Sequence, residues 1–158
     1  MKDCWKTGKR ELISTKDMFQ ILEAVSKSKG HKIIVGTDSV KLGYNFIFTS
    51  AICVLNSDFY DRRYFYIREK IKDDVYLDLS RRLLKETQDS IEIALDIKNK
   101  FNAANIEIHA DVNESSNHLS SRYKNMIKGY ISGCGFKVKT KPQSFVASSI
   151  ADLHTRKT

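Results

Sequence analysis

The chain has 158 residues, 41% hydrophobic and 29% charged, a balance that excludes disordered and collagen-like chains and favours one domain around one core. Its 27 Lys and Arg against 19 Asp and Glu leave a net charge of +8, which draws polyanions, nucleic acid first among them. No apolar run approaches the roughly 20 residues of a bilayer span, no apolar signal core follows Met1, and three scattered cysteines fit neither a disulfide framework nor a zinc site, so a cytoplasmic protein is expected.

Residues 1–13 form an arm with too few periodic apolar positions to assign. Ser14 or Thr15 then caps a helix with Asp17 in its first turn, and Met18, Phe19, Ile21, Leu22 and Val25 give it one apolar face up to Gly30. Residues 32–38 read as a buried strand, Ile33-Ile34-Val35-Gly36-Thr37-Asp38, ending in a carboxylate. Ser39 to Gly43 make a turn. A second strand, 44–55, is apolar on both faces, and a third, about 60–71, carries Tyr64-Phe65-Tyr66-Ile67. Such short connections predict an antiparallel meander.

Asp73 and Asp74 open a long helix, about 74–99. Its apolar stripe of Leu79, Leu83, Ile93, Ala94 and Ile97 also takes in Glu86 and Ser90, so a glutamate is expected on the face that meets the sheet. A fourth strand, 106–111, ends in Asp111. A helix at about 118–132 and a strand at 136–139 follow, and Pro142 precedes a last helix, about 143–155, with Phe145, Ser149 and Asp152 on one face. These elements predict a single α/β domain over 1–158, with an arm and an extra N-terminal helix in 1–30 and the core in 31–158. The core is a five-stranded mixed sheet, order 3-2-1-4-5, flanked by helices.

If the fourth strand lies parallel to the first, Asp38 and Asp111 meet at one sheet edge, where open α/β sheets place their sites. Glu86 and Asp152 approach from the two helices. Four converging carboxylates repel one another unless a cation intervenes. Oxygen donors of this kind suit two Mg²⁺ or Mn²⁺ ions, the arrangement that hydrolyses phosphodiesters. Strand alternation puts Asp111 on a face with Glu107 and His109, and Asp38 on a face with Ile34 and Gly36.

The order Asp, Glu on the first long helix, Asp, Asp resembles the active site of the ribonuclease H superfamily. Ile34-Val35-Gly36-Thr37-Asp38-Ser39 and the run Lys141-Pro142-Gln143-Ser144-Phe145-Val146-Ala147-Ser148-Ser149-Ile150-Ala151-Asp152 resemble, more narrowly, the YkuK-type ribonuclease H-like family over about 30–155. The resemblance implies a ribonuclease H-like fold, predicted nuclease activity, and Asp38, Glu86, Asp111 and Asp152 as catalytic metal ligands. It does not specify RNA, DNA or hybrid. Many ribonucleases H carry a mobile His before the last helix. Residues 139–144 hold none, which leaves His118 and His154 as candidates for proton transfer.

Arg81, Arg82 and Lys85 beside Glu86, and Lys137, Lys139, Lys141 and Arg156 beside Asp152, are the candidate nucleic-acid contacts. Tyr64, Phe65 and Tyr66 read first as packing residues, then as base-stacking ones. The leading expectation is a divalent-metal-dependent nuclease. The alternative is a catalytically inactive nucleic-acid-binding module of the same fold. A single-metal hydrolase built on Asp111, His118, Asp152 and His154 lacks supporting ligand spacing.

Overall fold

The computed structural model describes residues 4–55, 62–102, 104–115, 117–151 and 153. Among them, seven strands form one mixed sheet: β1 (Trp5–Thr7), β2 (Leu12–Ile13), β3 (Lys32–Leu42), β4 (Asn45–Leu55), β5 (Arg62–Ile71), β6 (Ile106–Asn113) and β7 (Lys137–Lys141), in the order β2-β1-β5-β4-β3-β6-β7. The inner run β5-β4-β3-β6-β7 has the expected 3-2-1-4-5 order. The expectation of five strands is corrected to seven, because the N-terminal arm adds two antiparallel strands on the outer side of β5. Strands of three and two residues are too short to show alternation, which is why the arm reads as patternless.

A single side chain ties that arm down. Trp5 is 1% exposed and belongs to the main core, and its indole N–H has no partner among the described residues. Trp5→Ala is expected to cost about 3–5 kcal/mol of stability, the usual loss for a large buried aromatic. Trp5→Phe should cost far less, since the unpartnered N–H leaves with the indole. Chemical denaturation of the two variants measures both.

Three α-helices lie among the described residues: α1 (Thr15–Ser26), α2 (Leu79–Lys100) and α3 (Lys124–Gly133). Ser14 caps α1 by accepting from the Asp17 N–H at 3.0 Å, and Met18, Phe19 and Leu22 are its buried face. The predicted helix at 74–99 divides. Asp73 caps a 3₁₀ turn, Asp74–Leu77, and Asp78 then caps α2 by accepting from the Ser80 and Arg81 N–H groups. The predicted helix at 118–132 likewise opens as a 3₁₀ turn, Leu119–Tyr123. Within the predicted last helix, Val146–Ala151 form a π-helical segment, and residues 143–145 before it are turn and coil.

β3 and β6 both run past the carboxylates expected to end them. β3 pairs with β4 along its whole length, from Lys32↔Leu55 to Leu42↔Asn45, so Asp38 sits inside a ladder. A ladder bonds backbone to backbone, and polar side chains at Asp38 and Ser39 do not interrupt it. The reversal comes four residues later, at Gly43-Tyr44, where Gly43 takes the positive φ of +60° that a two-residue hairpin turn requires.

One sheet face, with Ile33, Val35, Ile52, Ile67, Ile106 and Ile108, packs under the helices as the main core. The opposite face carries a smaller cluster, Ile34, Ala51, Cys53 and Tyr66, beneath Val146 and Ile150. Phe65 and Tyr66 are buried, which commits them to packing. Cys4, Cys53 and Cys134 form no disulfide, and no described helix is long and apolar enough to cross a membrane.

Candidate functional site

The stripe on α2 buries Leu83, Glu86, Thr87, Ser90, Ala94 and Ile97, so Glu86 does face the sheet and is only 8% exposed. Odd-numbered residues of β3 point toward this helix and meet it with hydroxyls. Ser39 Oγ donates to Glu86 Oε1 at 2.6 Å, and Ser90 Oγ donates to Thr37 Oγ1 at 3.0 Å. Burial is the first cause that raises the Glu86 pKa well above the ordinary glutamate value. The charge of Asp38 comes next, and that of Asp111 adds to it, against opposing contributions from the Ser39 hydrogen bond and Arg82. Three of the four predicted carboxylates are therefore electrostatically coupled across β3, β6 and α2.

The register explains how Asp38 and Asp111 come to the same place. β3 and β6 are parallel, with Ile33, Ile34 and Val35 opposite Ile106, Glu107 and Ile108, so the segments that carry Asp38 and Asp111 leave this ladder side by side. Ile34 and Glu107, which differ in character, thus share a face. Beyond His109 the ladder of β6 becomes irregular: His109 to Asn113 runs beside only Lys139 to Lys141 of β7. Asp111 lies inside this bulge, a device that re-aims a side chain. It also lines a cavity of about 10 Å³ with Glu86, Thr37, Thr87 and Ser90, on the threshold of holding one water.

Asp111 is paired. Lys141 Nζ stands 2.5 Å from its Oδ1, so a protein cation neutralises the buried oxygen. Asp38 Oδ1 accepts from the Ser39 N–H at 2.8 Å. Asp152, His154 and Arg156 lie outside the described residues. His118 is exposed at the cap of the Leu119–Tyr123 turn, where its carbonyl accepts from Ser121. Among the described residues, no three His, Cys, Asp or Glu side chains form a group that could hold a metal ion.

Several of the candidate nucleic-acid contacts are engaged elsewhere. Lys85 bridges Asp89 at 2.9 Å and Glu69 at 3.1 Å, and Arg82 lies over the Phe46 ring. Lys139 reaches Glu107 at 3.5 Å, while Arg81 and Lys137 are exposed.

The structure adds a pair that composition alone does not single out. His109, 1% exposed, accepts at Nδ1 from the Phe145 N–H at 3.1 Å, which leaves Nε2–H to donate to Glu107 Oε1 at 2.8 Å. Burial holds the His109 pKa below its usual value, against the raising effect of Glu107. Burial alone would raise Glu107, but the His109 bond, Lys32 and Lys139 outweigh it and hold its pKa low. A neutral imidazole beside an ionised carboxylate therefore pins the chain just before the Val146–Ala151 segment onto the face that bears Ile34 and Asp38. The available signal was Glu-x-His on one strand, which puts both side chains on one face.

No curated protein and no solved structure matches the chain. A family model described as Ribonuclease H-like matches residues 17–156, a span that takes in every strand except the two added by the arm. With that match over most of its length, and with the predicted order in the inner strands of its sheet, the chain belongs to the ribonuclease H-like family.

Proposed function

We propose that this protein is a divalent-metal-dependent nuclease that hydrolyses phosphodiester bonds, with Asp38, Glu86, Asp111 and Asp152 as its ligands for Mg²⁺ or Mn²⁺. The observation that carries the reading is Glu86, a buried glutamate whose pKa the charges of two further carboxylates help to raise, on a ribonuclease H-like fold. A helix face needs no such charge for packing, and burying it beside like charges costs stability. The donor set fits hard cations, since every group is a carboxylate oxygen.

Bound there, two ions would supply a nucleophilic hydroxide and neutralise charge on the leaving oxygen. The chain's own residues have distinct tasks. Ser39 orients the Glu86 carboxylate through its 2.6 Å hydrogen bond. The Glu107–His109 pair anchors the segment that leads to Asp152. Lys141 holds Asp111 as its counter-ion and must yield that place when a cation binds.

That last contact also favours the second reading, an inactive nucleic-acid-binding module, because a protein cation already neutralises Asp111. One assay separates the two. Labelled RNA, single-stranded DNA, RNA–DNA hybrid and branched DNA are incubated with Mg²⁺ or Mn²⁺, with and without EDTA. Cleavage of at least one substrate, abolished by EDTA, is the expected result. Intact substrates in every arm would sink the nuclease reading.

A further inference from the structure

Among the described residues, the face that carries Asp38 is only partly covered. Pairing across β3, β4 and β5 sets Asp38 beside Thr49 and Thr49 beside Arg68. The next row on the same face runs Val40, Ile47, Lys70, and the row before it runs Gly36, Ala51, Tyr66, Lys6. Val146 and Ile150 pack over Ile34, Ala51, Cys53 and Tyr66, at one end of this face. Beyond them is an open groove of about 550 Å³ lined by Lys6, Leu42, Asn45, Ile47, Arg68 and Lys70.

Three features of the groove point to one class of ligand. Its cations lack counter-ions: unlike Lys85, Lys139 and Lys141, none of Lys6, Arg68 and Lys70 takes part in an ion pair among the described residues. Arg68 and Lys70 stand two residues apart on one strand, roughly 7 Å, and Arg68 is two strands from Asp38, roughly 10 Å. The hairpin tip between Leu42 and Asn45 presents Tyr44, 82% exposed, at the rim. A positive track with an apolar floor and an exposed aromatic holds unpaired strands, whose bases are free to stack. A duplex keeps its bases inside.

We propose that this groove binds a single-stranded segment of nucleic acid, its phosphates on Lys6, Arg68 and Lys70 and a base against Tyr44, in line with Asp38. The proposal rests on the nuclease reading for its ligand class and relocates the substrate track from α2 and β7 to the open face of β3, β4 and β5.

The test is fluorescence anisotropy with short labelled single-stranded RNA and DNA in EDTA, where no hydrolysis intervenes. The Lys6→Ala/Arg68→Gln/Lys70→Ala variant is expected to raise Kd at least tenfold. Its log–log salt slope should fall by about 2, at about 0.7 for each lost phosphate contact. Tyr44→Ala should raise Kd about five- to tenfold. Lys16→Ala/Lys29→Ala, which removes two exposed cations near the ends of α1, should bind as wild type. Lys6→Ala/Lys70→Ala touches only exposed side chains, and it decides the question equally well if Arg68→Gln unfolds the protein.

An unchanged Kd and slope in the groove variants overturns the proposal, as does equal loss in the control or tighter, groove-independent binding of a duplex. Groove-dependent binding without cleavage in any metal sustains the proposal while the nuclease reading falls. Cleavage with an unaltered KM in the groove variants does the reverse.

Discussion

Asp38→Asn is expected to lower phosphodiester hydrolysis by about 10³-fold or more while leaving the fold intact. The rate loss follows from removing a charge in a preorganised site, where single-group deletions reach that scale. The fold should survive because Asn keeps the acceptor oxygen that takes the Ser39 N–H bond, and because the β3–β4 ladder runs through Asp38 on backbone groups alone. Melting within about 2 °C of wild type, together with single-turnover cleavage, is the measurement. A variant that folds and still cuts at a comparable rate would remove Asp38 from the chemistry. Asp111→Asn should lose activity alike.

Glu86→Gln should move activity and stability in opposite directions. The glutamine keeps the oxygen that accepts from Ser39 Oγ and removes a buried charge repelled by Asp38 and Asp111. A stabilisation of about 1–2 kcal/mol at neutral pH is expected, the scale typical of relieving a strained functional position, together with a loss of cleavage. The pH dependence follows from linkage. The folded-state pKa of Glu86 lies above the ordinary glutamate value of 4.5, so between the two values the folded chain binds more protons than the unfolded one. Stability due to this group is then fully present below about pH 4.5 and declines as pH rises through the folded-state value. The variant's advantage should be absent in acid and grow toward neutral pH. Thermal melts of both proteins across that range, with and without Mn²⁺, read this out, and added Mn²⁺ should narrow the gap by stabilising only the wild type. An advantage independent of pH would mean that packing, not charge, sets the difference.

The parts of this fold that a reader of the sequence recovers are those with a long-range geometric rule behind them. Short turns between three apolar strands force β3, β4 and β5 into a meander, and the helical crossovers force β6 and β7 parallel beside β3. The burial of Glu86 follows from the 3.6-residue stripe it shares with Leu83 and Ser90. What escapes is decided by partners. β1 and β2 exist because β5 offers an edge and the core accepts Trp5. β3 continues to Leu42 because β4 is equally long, whatever the polarity of Asp38 and Ser39. Lys85 looks like a phosphate ligand until Glu69, far away in sequence, arrives beside it from β5. Asp152 belongs to the predicted set but lies outside the described residues, so the structure describes three of the four predicted carboxylates.

The two outer edges of the sheet have a consequence for how copies of this chain meet. An exposed strand edge offers unpaired N–H and C=O groups to any neighbouring chain, and long, flat, apolar edges recruit one another into aggregates. Here one edge, β2, is two residues long. The other, β7, reads Lys-Val-Lys-Thr-Lys, and a second β7 laid against it would bring lysines against lysines. Those lysines therefore act as gatekeepers as well as counter-ions for Glu107 and Asp111. Both edges thereby keep the sheets of two copies from joining edge to edge.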